Sequence, residues 1–352
     1  MYILVVEKNS MIGLQFGRLV QLNASGQILK KGPRLFPFML STLNLLLRLS
    51  RRVIYNVRWI EGSKYIVSCG VGLYVLNSAD LSLKKIITPK DFTKCLNVGV
   101  VLIEGDAHIL YSHYEANLKM NTVNLYAAPF SNLDCYEHLY SFERGTINHI
   151  HSYYQFQDKI FLNIGDQCDS VGIWELDVSL KKITPILISS QEYRAVFCFA
   201  TTNTFYIATD SPGGGNYIKK LAKLNDRYIL QNYLKLEGPV IYGIESEDLA
   251  IFSTSVEPSI ALGWRAWLPL LPIKSSAILY KFSKQSGELE ILSIGQKDYL
   301  NPYLFGFGSF QFPAHQGVSS KDGLVANKVG LLTSISSNAV ASRFYSYDIY
   351  DL

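Results

Sequence analysis

Ile147-Asn148-His149-Ile150-His151-Ser152-Tyr153-Tyr154-Gln155-Phe156-Gln157-Asp158-Lys159-Ile160-Phe161-Leu162-Asn163-Ile164-Gly165-Asp166 reads as a β-hairpin with a polar cluster at its open end. Residues 149 to 154 and 159 to 164 are aromatic and β-branched runs, and Gln157-Asp158 between them is a polar turn. Pairing about that turn brings position 149 level with 165 or 166, so His149 and Asp166 are expected to be neighbours. His149 and His151 lie two apart on one strand and share a face, while Ile150 takes the other.

The rest of the chain repeats this hairpin. Inner copies run from Val53 to Cys69, Val98 to Ser112, Arg194 to Asp210 and Val240 to Glu257, each turning on residues such as Glu61-Gly62-Ser63, Glu104-Gly105-Asp106 or Thr202-Asn203. Between them lie outer hairpins, for example Leu73-Tyr74-Val75-Leu76 before Asn77-Ser78-Ala79-Asp80, Ile173-Trp174-Glu175-Leu176 before Asp177-Val178-Ser179, and Ile278-Leu279-Tyr280-Lys281-Phe282. The interval of about 45 to 60 residues is that of a four-stranded propeller blade. With 352 residues, 48% hydrophobic and rich in Tyr (23) and Phe (18), the chain suits one closed all-β repeat architecture. The expected fold is a single β-propeller domain over 1–352, built of four-stranded antiparallel blades. Six blades is the preferred count and seven the alternative, because the residues before Val53 either complete the last blade or form most of another.

Several classes are excluded by composition. A formal charge of +4 and the lack of a long Lys/Arg run with interleaved aromatics leave no nucleic-acid footprint. Five cysteines at irregular spacing, without a C-x-x-C, argue against a disulfide framework or a structural zinc site. No stretch approaches the roughly 18 apolar residues of a spanning helix, and Met1 to Gly17 lacks a signal-peptide pattern, so the expected location is cytoplasmic.

Two segments interrupt the repeat. Residues 33–50, within a basic-flanked segment 30–52, read as an amphipathic helical insertion that either caps the propeller or rests on an anionic membrane, giving a peripheral association. Residues 261–274, with Trp264, Arg265 and Trp267 among prolines, read as a loop insertion.

Chemistry is expected where inner strands begin and end. Asp166, Asp210 and Glu257 are candidate catalytic carboxylates, since paired carboxyls around one bond perform glycoside cleavage. His149, His151, Arg194, Tyr242, His113 and Lys297 are candidate substrate-binding residues, with Arg194 as an anion clamp through its planar fork. The spacing His149-x-His151 also makes this pair a candidate ligand set for a divalent metal ion, with Asp166 or His113 as the third ligand. Gly213-Gly214-Gly215 lacks the G-K-[ST] of a phosphate loop and reads as a connection.

Asn148-His149-Ile150-His151, Gly165-Asp166, Gln191-Glu192-Tyr193-Arg194-Ala195-Val196, Thr209-Asp210-Ser211-Pro212, Gly238-Pro239-Val240, Ser253-Thr254-Ser255-Val256-Glu257-Pro258 and Lys297-Asp298, in that order, resemble the BNR-repeat, sialidase-like β-propellers, in particular a bacterial and archaeal subgroup of them. The resemblance covers about residues 50 to 315. It implies a carbohydrate-related role beside surface-polysaccharide synthesis. The leading expectation is therefore a carbohydrate-active propeller, glycoside hydrolase-like or lyase-like, taking a carbohydrate or lipid-linked saccharide. The alternatives are a divalent-metal-dependent lyase or lactonase using His149 and His151, and a non-catalytic glycan- or protein-binding scaffold.

Overall fold

The computed structural model describes residues 1–36, 54–90, 92, 94–95, 97–114, 117, 119–166, 169–211, 215–224, 227–256, 268, 275–302, 307–315, 324–332 and 345–350. Among them the regular structure is almost entirely β, arranged as the seven sheets of a β-propeller. Five sheets have four strands, one has five and one has three. The all-β, blade-built expectation holds, and the count is the alternative of seven rather than the preferred six.

The chain falls into two compact units. One comprises Met1–Val53, Asn77–Leu83 and Glu237–Leu352, the other Ile54–Leu76 and Lys84–Leu236. The seventh sheet lies in the first unit, where Tyr2–Glu7, Ser10–Gln15, Arg18–Asn23 and Ile28–Arg34 form a sheet of their own. A short strand from late in the chain, Ala314–His315, adds to its edge in parallel with Tyr2–Glu7. The Asn327 side chain strengthens this union of early and late segments by accepting from the Ile3 N–H and donating to the Ile3 carbonyl, both at 2.7 Å. Ile28–Arg34 is a solvent-facing edge strand whose Lys30, Lys31 and Pro33 discourage pairing with another chain. Positions 33 and 34 of the expected helical insertion thus close a strand, and its residues 37–50 lie outside the described residues. So does the expected loop 261–274 apart from Leu268. Among the described residues no helix is long and apolar enough to cross a membrane.

In the second unit each sheet is an antiparallel meander. The sheet that decides the site consists of Ile150–Phe156, Lys159–Ile164, Gly172–Asp177 and Lys182–Ile188, in that order from one edge to the other. Its hairpin turns at Gln157-Asp158 with Phe156 paired to Lys159, as the sequence predicts. Alternation puts Ile160, Leu162 and Ile164 against Leu110, Leu125 and Phe142 of the preceding sheet. The opposite face puts Phe161 and Ile173 against Cys198, Phe205 and Ile207 of the next. Gly99–Ile103, Ile150–Phe156 and Ala195–Ala200, the first strands of three successive sheets, lie beside one another. Gly99 is required by that approach, because a Cβ there would sit 2.4 Å from the Tyr153 Cβ. The Gln155 side chain then bridges the two strands, accepting from Leu102 N–H at 2.7 Å and donating to Leu102 carbonyl at 3.2 Å.

Cys69, Cys95, Cys135 and Cys198 are free thiols. Burial pushes the Cys69 thiol up to about 11 and the Cys95 thiol up to about 12, so neither is a nucleophile at neutral pH.

Phe205 is the centre of an aromatic stack between sheets, with ring centroids 5.2 Å from Tyr154, 5.7 Å from Phe156 and 5.0 Å from Phe161. Phe205→Ala is expected to cost about 3–5 kcal/mol in urea unfolding. A loss below about 1 kcal/mol would mean that these sheets do not depend on the stack.

Candidate functional site

The site is set by a backbone device that recurs at the start of the first strands. Pairing steps from Ile150↔Ile164 to Ser152↔Asn163, which leaves His151 as an extra residue in a β-bulge. The same step occurs between Ile54 and Asn56 and between Ala195 and Phe197, and in the first unit between Val240 and Tyr242. Just before the bulges at His151 and Val196, a carbonyl accepts from the residue that follows the second strand. Gly165 N–H donates to His149 carbonyl at 3.4 Å, and Asp210 N–H donates to Arg194 carbonyl at 2.9 Å. His149 is therefore level with Gly165, the nearer of the two expected registers, and Asp210 occupies the position that Gly165 holds one sheet earlier.

A Cβ on Gly165 would lie 1.9 Å from the His151 ring, so only glycine lets the imidazole lie against the hairpin. The following residue, Asp166, has φ 70°, a left-handed backbone that aspartate tolerates better than most residues. This turn aims the carboxylate back at the two rings. His149 Nε2 is 3.3 Å from Asp166 Oδ2, His151 Nε2 is 3.6 Å from Asp166 Oδ1, and the two Nε2 atoms are 3.1 Å apart. Arg194 Nη2 lies 3.4 Å from Asp166 Oδ1 and 2.9 Å from Asp210 Oδ2. The cluster therefore holds four of the expected residues around Asp166, all of them in the second unit. Both imidazoles and Asp210 are buried, whereas the Asp166 side chain is 35% exposed.

Amide side chains fix the backbone behind the cluster. Asn97 donates to the His151 carbonyl at 2.7 Å, Asn117 to the Asn148 carbonyl at 3.0 Å and Gln191 to the Asp166 carbonyl at 2.9 Å. His151 Nδ1 is 3.3 Å from the Ala195 carbonyl, which can only accept, so Nδ1 carries the proton and the neutral ring presents a bare Nε2 to the cluster.

Burial would raise the Asp166 carboxyl, but the His151 ring beside it, together with His149 and Arg194, outweighs burial and holds this carboxyl well below the usual carboxylate range. Burial pushes His151 the other way from a charged ring, lowering its proton affinity and keeping it neutral. The outcome is an ionised carboxylate against a neutral imidazole.

The sequence did not single out Tyr114. Its ring meets that of His149 edge-on at 4.4 Å, and burial followed by the charge of Asp166 raises its phenol, which stays protonated. The neighbouring expected residue, His113, instead sets its ring against Phe92 at 6.2 Å. Glu257 lies outside the described residues. Tyr242, on Val240–Glu245, and Lys297 belong to the first unit. Lys297 is buried and donates to the Asp298 carboxylate, the Asp298 carbonyl and, at 3.0 Å, the Leu300 carbonyl, which uses its ammonium locally.

No family model matches the chain, and no curated protein matches it. Solved structures do. A protein assigned to TolB from Agrobacterium tumefaciens is 12% identical, covering 77% of this chain and 84% of that one with a TM-score of 0.50. The AfRom2 CNH domain is 9% identical over 91% and 87%, also at 0.50. An oligogalacturonate lyase solved in complex with manganese is 8% identical over 86% and 82%, at 0.49. The first two likenesses support the β-propeller fold and do not single out the sialidase-like group.

Two outcomes test the site's construction. Gly165→Ala is expected to displace the His151 ring and to cost about 1–3 kcal/mol in thermal or chemical unfolding, since backbone and ring cannot both stay in place. An unchanged stability and an unchanged His151 proton resonance would contradict the close approach. Because the folded Asp166 carboxyl titrates below its unfolded value of about 3.9, its ionisation stabilises the fold above that pH and the contribution is lost as pH falls through the folded value. The stability advantage of wild type over Asp166→Asn should therefore persist from neutrality down to about pH 4 and shrink below it. An advantage that grows on acidification would reverse the assignment.

Proposed function

We propose that the protein is a carbohydrate-active β-propeller that cleaves an acidic, uronate-bearing saccharide by elimination, with the His149–His151–Asp166 cluster as its base. The observation that carries this reading is that Asp166, the accessible carboxyl, is kept ionised. Glycoside hydrolysis by either stereochemical course needs a carboxyl that is still protonated at the working pH. Asp166 is tuned against that role, and Asp210 is closed onto Arg194.

Elimination asks for a base instead. The neutral imidazole pair accepts the proton from the carbon beside the uronate carboxyl, and the adjacent Asp166 carboxylate stabilises the imidazolium that forms. The electron pair of the broken C–H bond forms the new C=C bond, and the C–O bond to the leaving sugar breaks. Tyr114, protonated and in ring contact with His149, donates its hydroxyl proton to the departing oxygen. The carbohydrate assignment itself is supported by the sequence resemblance to sialidase-like propellers.

The test is incubation with uronate-containing and neutral oligosaccharides, read by the ultraviolet absorbance of the conjugated unsaturated product. Signal is expected only from the uronates, with Asp166→Asn and His151→Gln each lowering kcat about 10²–10⁴-fold. New reducing ends without the unsaturated product would replace elimination by hydrolysis. Binding without turnover would make the protein a scaffold.

A further inference from the structure

We infer that His149 Nε2, His151 Nε2 and the Asp166 carboxylate form a binding site for one divalent transition-metal ion. The inference concerns the cluster of the preceding section and rests on that reading for the ion's use. These atoms lie within 4.8 Å of one another, the sole grouping of three or more His, Cys, Asp or Glu donors of this kind among the described residues.

The spacing is that of ligands around a shared centre. With metal–ligand bonds of about 2.0–2.2 Å, neighbouring donors in tetrahedral or octahedral geometry stand about 3.0–3.5 Å apart. The observed edges are 3.1 Å between the imidazole nitrogens, 3.3 Å from His149 to Asp166 Oδ2 and 3.6 Å from His151 to Asp166 Oδ1. The His151 ring is oriented by its Nδ1, 3.3 Å from the Ala195 carbonyl, so its Nε2 faces the His149 nitrogen and the carboxylate.

Charge is also arranged for a cation. Arg194 and Asp210 cancel each other at 2.9 Å, leaving the negative charge of Asp166 as the surplus. The donors are held in advance, with His151 fixed through Ala195 and Gly165 and with Gln191 and Asn97 on the carbonyls of Asp166 and His151, which is the outer support that metal-binding imidazoles require. Two imidazoles and one carboxylate occupy one face of the ion and leave its other positions open toward the exposed side of Asp166. A uronate carboxylate bound there would have its charge offset by the ion, and because the ion and a proton compete for the same two Nε2 lone pairs, the ion-loaded cluster binds the uronate while the ion-free cluster serves as the base.

The test uses chelator-stripped full-length protein titrated calorimetrically with Zn²⁺ and, separately, Mn²⁺, together with the visible absorption of the Co²⁺-loaded protein. One equivalent is expected to bind with a Kd of about 10 μM or tighter for at least one of these ions. The affinity should fall at least about 100-fold in His149→Gln and His151→Gln. Asp166→Asn, which keeps the shape, should behave likewise, and circular dichroism with urea unfolding verifies that each variant is folded. No binding up to about 1 mM, or binding that survives all three substitutions, would overturn the inference. A saccharide arm separates the two readings. Stoichiometric metal with no uronate bound or cleaved would leave the site standing and defeat the elimination reading, whereas uronate turnover by a protein that binds no ion would leave the elimination reading standing and defeat the metal alone.

Discussion

The contact of Gly165 with the His151 ring is the constraint from which the site follows. A bulge inserts one residue at the start of a first strand, and the inserted side chain must go somewhere. At His151 it lies against the end of the second strand, where the missing Cβ of Gly165 makes room. The next residue must then turn sharply, and Asp166 does so in the left-handed region, which brings its carboxylate back over the rings. Ring, glycine and carboxylate are thus three consequences of one extra residue. Strain of about 1–3 kcal/mol at a left-handed non-glycine residue persists only where its surroundings hold it, and here the Gln191 amide on the Asp166 carbonyl is part of that hold.

The electrostatics depend on the same geometry. An exposed aspartate beside an arginine would be an ordinary surface pair of little energetic weight. Here Arg194 is mostly buried and shared between Asp166 and a buried Asp210, while two buried imidazoles complete the ring around Asp166. Burial alone would neutralise the carboxyl. The surrounding donors outweigh it, and burial instead acts on His151, which remains an uncharged lone-pair donor. That division, with the acid ionised and the base neutral, is what allows the cluster to accept either a proton or a cation.

Much of this was legible in the sequence because strand alternation and a two-residue turn leave few choices of register. Gln157-Asp158 fixes the hairpin, and the pairing of Phe156 with Lys159 carries through to place His149 beside Gly165 and Asp166. Sheet count was less legible. Residues 2 to 34 form a complete meander, yet their edge is finished by Ala314–His315 from more than 300 residues away, and two residues carry no periodic signal. The bulges were not legible at all, because an inserted residue leaves the hydrophobic pattern of a short strand almost unchanged. Tyr114 escaped for a related reason: it follows a strand end at Ser112, where alternation stops, and His113 beside it looked the more reactive choice.

Comparing two successive sheets explains why Asp166 and Asp210 play different parts although both follow a second strand. The backbone is the same in each, with a carbonyl at 149 or 194 accepting from the N–H at 165 or 210. In the first, the side chain at 149 is a histidine and the bulge carries another, so position 165 must be empty and the acid moves one residue on. In the second, the side chain at 194 is an arginine and the bulge carries Val196, which makes no demand on the space beside it, so the acid sits at 210 and pairs with Arg194 directly. A residue-by-residue match of the two sheets would pair Asp210 with Gly165 and Asp166 with Ser211, and so would miss that the two acids serve the same cluster. The repeat supplies a fixed set of backbone positions, and the chemistry of each sheet is decided by which of them is left without a side chain.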